Sequence, residues 1–143
     1  PCDRDIHLKG FLDQIKESGL VFEPEQKISG CKDTEELEER LQAILEKNPF
    51  IDAIVARYDD LAAVALSVAR KMGRNVPKDL AVTGFDNDFI SNYVSPALTT
   101  VEIQKEEVAK SAMEALLALI RNEKTDKNIS ITARLIIRDS TKQ

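Results

Sequence analysis

Segments with helical and with strand character alternate along this 143-residue chain, and the alternation constrains the fold more than any other feature. Apolar side chains at helical spacing cover about 5–18, and Gly19 follows as a stop signal. Short apolar runs at 50–56 and 80–85 are typical of buried parallel strands, and a helical pattern over about 59–72 separates them. Strand, helix and strand in this order predict an α/β domain with a parallel sheet.

The other segments continue the same pattern. Asp33 begins a D-x-x-E sequence that Glu36 closes, which predicts a helix with a capping box at its start and Asn48-Pro49 at its end. Residues 87–94 are predicted to form a loop or a short helix. A long amphipathic helix is predicted over about 105–122, and extended segments are predicted over 20–22, 98–103, 129–131 and 133–137.

The composition excludes several functions. The net charge is −5 and the basic residues are dispersed, whereas DNA binding needs clustered Lys and Arg that displace counterions from phosphates. His7 is the only histidine, which excludes a histidine-based zinc cluster, and the chain has neither a G-x-x-x-x-G-K nor a G-x-G-x-x-G loop. We therefore predict no metal and no nucleotide cofactor. No apolar run approaches the roughly 18 residues that span a bilayer, so no membrane contact is predicted.

Two cysteines, Cys2 and Cys31, lie far apart in the sequence without the C-x-x-C spacing of a redox or metal motif. Reduced thiols in a cytoplasmic protein are the favoured interpretation, and a Cys2–Cys31 disulfide is the alternative. The chain starts at Pro1 and enters a helical pattern within a few residues, without a preceding Met or strand. We expect it to be part of a longer protein or an engineered piece.

Two predicted helices have more apolar surface than a single core requires. A helix that is apolar around most of its circumference is normally buried on two sides, here the sheet and a partner chain. The alternative is that small Ala side chains merely occupy a helix surface. The long helix over 105–122 also needs a layer to pack against, and no other segment obviously supplies one. In the helix over 59–72, one apolar stripe contains Leu61, Ala65, Val68 and Met72, and a second contains Ala62, Val64 and Leu66.

Four stretches of the chain occur in the order IDAIVARYDDLAAVALSVARKMG, NVPKDLAVTGFDN, SPALTTVEIQ and LIIRDST. Together they resemble the C-terminal part of the effector-binding domain of LacI/GalR transcription regulators, which share the periplasmic-binding-protein fold. The earlier stretch HLKGFLDQIKESGL resembles the R-x-x-GF helix of that family less closely, and residues 21–48 match in pattern only.

The resemblance implies a three-layer, parallel-sheet lobe of the type I periplasmic-binding-protein-like fold, truncated at its N-terminus. Residues of about 5–98 and 129–139 would form the second lobe, and about 99–124 would pack on an absent first lobe. The implied function is that of a sensor, not an enzyme. A sugar or sugar derivative would bind between the lobes and change the DNA affinity of a homodimer, whose helix-turn-helix would lie upstream.

Asp86, Tyr58 and Asp59 are candidate effector contacts. Asp86 follows the strand over 80–85, and ligands of open α/β sheets gather at the carboxyl ends of strands; the alternative is a turn-forming or helix-capping Asp. Tyr58 stands where the family often has Asn, and its ring would stack on a sugar unless it is a plain surface residue. Asp59 matches the family's Asp at the next position and is interpreted first as a helix N-cap.

His7 and Gln104 complete the candidate effector contacts. His7 takes the position of the family's Arg, whose planar fork a neutral imidazole cannot replace. Either the effector differs, or His7 is an exposed helix residue, and Arg4 one turn earlier is a possible substitute. Gln104 lies one residue beyond the ligand-contacting Gln of the family, where Ile103 stands, and is the weakest candidate.

The resemblance also implies a dimer surface, and two further function classes stay open. A sugar-binding transport protein of the same fold is the first alternative. The second is an α/β enzyme using Asp59 or Asp86, which would need a partner base, nucleophile, metal cluster or phosphate loop. The predicted dimer interface consists of Leu61, Val64, Ala65, Val68, Phe89 and Tyr93.

Overall fold

The computed structural model describes residues 6–126 and 128–141. Cys2 and Arg4 lie outside the described residues, and with them the question of a Cys2–Cys31 disulfide. From the second helix onward, helices and strands alternate as the sequence predicts. The helices are α1 (Ile6–Glu17), α2 (Thr34–Lys47), α3 (Asp59–Lys71), α4 (Ile90–Tyr93) and α5 (Lys105–Ile120), and the strands are β1 (Ala53–Val55), β2 (Ala81–Phe85), β3 (Thr99–Glu102) and β4 (Arg134–Ile136).

The start and end of α2 are fixed by side-chain hydrogen bonds. The backbone N–H of Glu36 donates to Asp33 Oδ1 at 2.8 Å, which confirms the predicted cap. The carboxylate of Glu36 accepts from the N–H of Lys32 at 2.9 Å, so the reciprocal bond is displaced by one residue from a standard capping box. At the other end, both the backbone N–H and the side-chain amide of Asn48 donate to the carbonyl of Ile44 at 2.9 Å.

The four strands form one sheet in the order β1-β2-β3-β4. The first three are parallel, with Val55 paired to Thr83 and Thr83 paired to Thr99. Strand β4 runs antiparallel to β3, so the predicted parallel sheet has one antiparallel edge strand. The chain returns from α5 directly beside β3, and an antiparallel edge strand on a parallel sheet is common in such folds. The α/β prediction is confirmed.

Two predicted extended segments form no strand. Within 20–22, Leu20 and Val21 are exposed, and a 3₁₀ turn (Pro24–Gln26) follows. Within 129–131, Ile129 is exposed as well. A short apolar run becomes a strand only if a neighbouring strand accepts its backbone hydrogen bonds, and sequence periodicity does not reveal that neighbour.

The core lies on one side of the sheet, where α3 packs against β1 and β2 and α2 packs on α3. Helix α3 therefore buries most of both apolar stripes within this chain, between the sheet and α2, whereas Leu61 stays exposed and Val64 and Met72 are partly buried. By contrast, among the described residues neither α1 nor α5 has a fully buried side chain. The fully buried apolar residues are Leu41, Leu45, Ala62, Ala65, Leu66, Val68, Ala69, Leu80, Val82 and Leu98.

Candidate functional site

The carboxyl ends of the three parallel strands meet at one edge of the sheet, which we call the C-terminal rim. Tyr58 follows β1, Asp86 follows β2, and Gln104 follows β3. The parallel register therefore brings three of the five candidate effector residues to the same edge. Open α/β sheets bind their ligands at this edge.

The turn 86–88 leaves β2 in an unusual backbone conformation. Asp86 has φ of 102° and Asn87 has φ of 47°, a left-handed region that side-chain-bearing residues seldom adopt. The N–H of Asp86 donates to the carbonyl of Val101 on β3 at 2.8 Å. The carboxylate of Asp86 is half-buried and has no hydrogen-bond partner among the described residues, so its oxygens are available to a ligand.

In contrast to Asp86, Asn87 has both polar atoms of its side chain in hydrogen bonds with the protein. Its amide nitrogen donates to Glu102 at 2.9 Å, and its amide oxygen accepts from Arg138 Nη2 at 2.7 Å. Arg138 Nη1 in turn donates to the carbonyl of Leu98 at 2.7 Å and to Ser91 Oγ at 3.3 Å. The sequence motifs GFDN and R-x-ST contain Asn87 and Arg138, but nothing in their spacing predicts that these two side chains meet.

Asp59 is almost entirely buried, with 1% of its surface exposed. Its Oδ2 accepts from the N–H of Asp88 at 2.7 Å, and its Oδ1 accepts from Thr100 Oγ1 at 2.6 Å. The interpretation of Asp59 as the N-cap of α3 is therefore wrong: it is the first residue of the helix, and its carboxylate bonds to the turn after β2 and to β3. The following Asp60 accepts from the N–H of Leu61 at 2.7 Å.

Gly84 explains how a carboxylate fits beside the sheet. A Cβ on Gly84 would overlap Asp59 Oδ1 and lie 2.9 Å from Leu98 Cδ2, so only glycine admits the Asp59 side chain at this point. Thr100, Gly84 and Asp88 are site residues that sequence reasoning missed. Thr100 and Gly84 belong to the quoted LTT and GFD stretches, and the contact with Asp59 appears only in three dimensions.

A cation lies beside the carboxylates of the rim. Lys105 Nζ, on the first residue of α5, donates to Asp88 Oδ1 at 2.6 Å. This hydrogen bond raises the pKa of Lys105 above its ordinary value; desolvation opposes that rise, while the negative charges of Asp88, Asp86 and Asp59 support it. The lysine thus stays protonated, and α5 is tied to the turn that carries Asp86.

Aromatic rings flank the rim. The His7 ring lies with its centroid 4.6 Å from that of Phe85, the residue before Asp86, so α1 brings His7 to the predicted site. The Tyr58 ring is partly exposed, and the guanidinium carbon of Arg57 lies 5.3 Å from its centroid. Gln104 donates its side-chain amide to the carbonyl of Thr132 at 2.6 Å, which leaves its amide oxygen for other contacts.

The predicted dimer residues divide into two groups. Ala65 and Val68 are each only 2% exposed and belong to the core, so they have almost no surface for a partner, and their inclusion in the interface is corrected. The sheet and α2 cover this part of α3. Phe89 and Tyr93 are 76% and 71% exposed, and their rings stack at 4.1 Å. Leu61 is also exposed, and Val64 is half-buried against the core.

Two negative findings concern the described part of the chain. No three His, Cys, Asp or Glu side chains there are grouped so that they could hold a metal ion. No helix in the same residues has the length and apolar character needed to cross a membrane.

Comparison with known proteins places these features in a family context. The family described as periplasmic binding protein-like domain matches residues 2–141. The transcriptional regulator MalR of Clostridium butyricum is 32% identical over 133 residues, which are 93% of this chain and 40% of that protein. The transcriptional repressor PurR of Photorhabdus laumondii is 33% identical over 133 residues, which are 92% of this chain and 39% of that protein.

Solved structures agree with the sequence relatives. A regulatory protein of the LacI family from Chloroflexus aggregans matches with a TM-score of 0.88 and 28% identity, over 99% of this chain and 53% of that one. A LacI family regulator from Arthrobacter sp. FB24 in complex with lactose matches with a TM-score of 0.82 and 30% identity, over 94% of this chain and 50% of that one. The chain thus spans about 40% of these curated relatives and about half of these solved chains.

Proposed function

Because this chain belongs to the periplasmic binding protein-like domain family, in the form found in LacI-type transcription regulators, we propose that it forms part of the effector sensor of such a regulator. The effector is a sugar or a sugar derivative. Two similar regulators support this class of ligand. The Arthrobacter regulator was solved in complex with lactose, and the regulator CelR, which matches 93% of this chain with a TM-score of 0.82 and 25% identity, was solved in complex with cellobiose.

The observation that carries the proposal is the carboxylate of Asp86. It stands at the C-terminal rim, beside Lys105, without a hydrogen-bond partner among the described residues. Sugar hydroxyls are hydrogen-bond donors, and a carboxylate at this position accepts from two of them at once. By contrast, the neighbouring Asp59 and Asn87 have their polar atoms occupied by the protein.

The rings at the rim suit the apolar face of a sugar. In this proposal Tyr58 stacks on the sugar ring, and His7, placed by its contact with Phe85, adds a donor or acceptor from α1. Gln104 contributes its free amide oxygen. Asp59 does not touch the effector, because its carboxylate is buried and already bonded to Asp88 and Thr100.

Signalling requires structure beyond this chain. We assign residues 6–102 and 129–139 to one lobe, because β3 (Thr99–Glu102) pairs with β2 and β4 in its sheet; the predicted boundary before residue 99 is therefore too early. Residues 103–124 form a segment that packs on a preceding lobe through the exposed apolar face of α5. The effector would fill the gap between lobes in a cytoplasmic homodimer and favour one relative orientation. A coupling of about 1–3 kcal/mol between such sites changes DNA affinity by roughly 5- to 150-fold. Leu61, Phe89 and Tyr93 supply the exposed part of the dimer surface.

A thermal-shift screen of the full-length protein against monosaccharides, disaccharides including lactose and cellobiose, and sugar phosphates tests this function. We expect at least one sugar to raise the melting temperature. For that sugar, Asp86→Asn weakens binding by about 10- to 100-fold, because hydrogen bonds to a charged group are lost. Asp52→Asn is the matched control, since Asp52 lies at the amino end of β1, away from the rim. A screen without a shift, or equal binding by both variants, would refute the proposal.

A further inference from the structure

The Asp59 carboxylate is buried, and both of its oxygens accept hydrogen bonds from the protein. It reaches from the first turn of α3 to the turn after β2, where it accepts the N–H of Asp88 at 2.7 Å. Its second oxygen accepts the hydroxyl of Thr100 at 2.6 Å. A buried carboxylate that satisfies two donors on other elements fixes the distance between those elements.

Thr100 links Asp59 to a second residue of the turn, Asn87. Its Oγ1 donates to Asp59 and also accepts from the backbone N–H of Asn87, at 3.3 Å. The N–H of Asn87 therefore donates to the Thr100 hydroxyl, and the N–H of Asp88 donates to the Asp59 carboxylate. One buried pair of side chains thus binds two successive N–H groups of the turn.

This support acts at the place where the backbone needs it. Asp86 and Asn87 both have positive φ, a conformation that their side chains disfavour and that persists only when surrounding contacts impose it. From the side of β3, the Val101 carbonyl holds the N–H of Asp86. The glycine at position 84 lets the Asp59 carboxylate approach β2 closely enough to complete this arrangement.

We propose that Asp59 is the positioning residue of the effector site: with Thr100 it holds the turn 86–88, in which Asp86 and Asn87 have positive φ, so that the Asp86 carboxylate is presented at the rim. The relevance to effector binding rests on the proposed function, whereas the restraint of the turn is a property of the ligand-free protein. An experiment can therefore refute the restraint of the turn without refuting effector binding, and the reverse.

Substitutions at Thr100 separate the hydroxyl from the shape of the side chain. Thr100→Val keeps the volume and removes the donor to Asp59 and the acceptor for Asn87, whereas Thr100→Ser keeps both. Asp59→Asn keeps the size of the side chain and removes its charge. The readout is hydrogen exchange by mass spectrometry on the ligand-free full-length protein, comparing a peptide over 85–90 with peptides from α2 and α3.

We expect exchange in the 85–90 peptide to become faster by on the order of tenfold in Thr100→Val and Asp59→Asn, with α2 and α3 unchanged and with Thr100→Ser like the wild type. The affinity for a sugar found in the thermal-shift screen falls by about the same factor in the same two variants. In Thr100→Ser this affinity equals that of the wild type.

Two outcomes overturn the proposal. One is exchange at 85–90 in Thr100→Val and Asp59→Asn that equals that of the wild type. The other is faster exchange that appears equally in α2 and α3, since this would show a general loss of stability rather than release of the turn. If no sugar binds the wild type, the proposed function fails, and the exchange comparison still decides whether Asp59 positions the turn.

Discussion

Gly84 occupies the point where β2 passes closest to the Asp59 carboxylate, and its lack of a side chain is a steric requirement. Its φ is not in the left-handed region, so the constraint is space and not backbone freedom. In Gly84→Ala the new methyl group would overlap Asp59 Oδ1 and crowd Leu98, both of which are buried. We expect a loss of about 1–3 kcal/mol in the free energy of unfolding, measured by urea titration.

Gly10→Ala is the matched control for this substitution. Gly10 lies within α1, and nothing stands within 4 Å of the added Cβ. Alanine is the better helix former, so this variant should gain up to about 1 kcal/mol. Equal effects of the two substitutions would contradict the close approach of Asp59 to β2.

At the level of single residues, the sequence predicts some positions of the candidate site and not others. The position of Asp86 at the carboxyl end of β2 follows from an apolar run and its boundary, so it could be predicted. The role of Asp59 could not, because a helix-start Asp with its neighbour Asp60 looks like a local cap, whereas its two partners are 29 and 41 residues away. Side-chain contacts between distant segments have no local signal.

At the scale of elements, the segment 138–141 connects the end of the chain to the middle of the sheet. Ser140 is fully buried; its hydroxyl donates to the Val82 carbonyl at 2.6 Å and accepts from the N–H of Thr99 at 2.8 Å. The Ser140 carbonyl also accepts from the N–H of Val82 at 2.9 Å. The segment thus bridges β2 and β3.

Ser140→Ala would leave the Thr99 N–H without its partner in a buried place. We expect the free energy of unfolding to fall by about 1–3 kcal/mol in thermal or urea unfolding. Ser29→Ala, in an exposed loop, is the control and should change stability by less than about 0.5 kcal/mol. A Ser140→Ala protein as stable as the control would argue against this bridge.

Helices and central strands were predictable because each carries its own periodic pattern, and α1, α2, α3, α5, β1, β2 and β3 all lie within the predicted segments. The direction of β4 was not predictable in this way. A three-residue strand has no pattern that records whether its neighbour is parallel, and its antiparallel pairing depends on where α5 returns the chain.

At the scale of the whole molecule, the core is concentrated between the sheet, α3 and α2, and α5 stands outside it. Met113 on α5 is 56% exposed, whereas Leu98 is completely buried. In this chain alone, Leu98→Ala should cost about 2–5 kcal/mol of stability and Met113→Ala less than about 0.5 kcal/mol. Unfolding of both variants by urea provides the comparison.

The same pair of variants in the full-length protein tests the proposed placement of residues 103–124. If α5 packs on a preceding lobe there, Met113→Ala becomes costly, by roughly 2 kcal/mol or more. A Met113→Ala cost that is equally small in both proteins would show that the apolar face of α5 stays uncovered.

The buried Asp59 and the exposed Tyr58 are neighbours in the chain but differ in what they contact, and this difference bears on engineering of the proposed effector site. Tyr58 takes part in no hydrogen bond that holds the turn 86–88, whereas Asp59, next to it in the chain, is the centre of that support. A randomised library at position 58 should therefore retain folded members at high frequency. If Tyr58 contacts the effector, as proposed above, such a library samples new specificities while the turn 86–88 stays in place. A library at position 59 should contain few folded members.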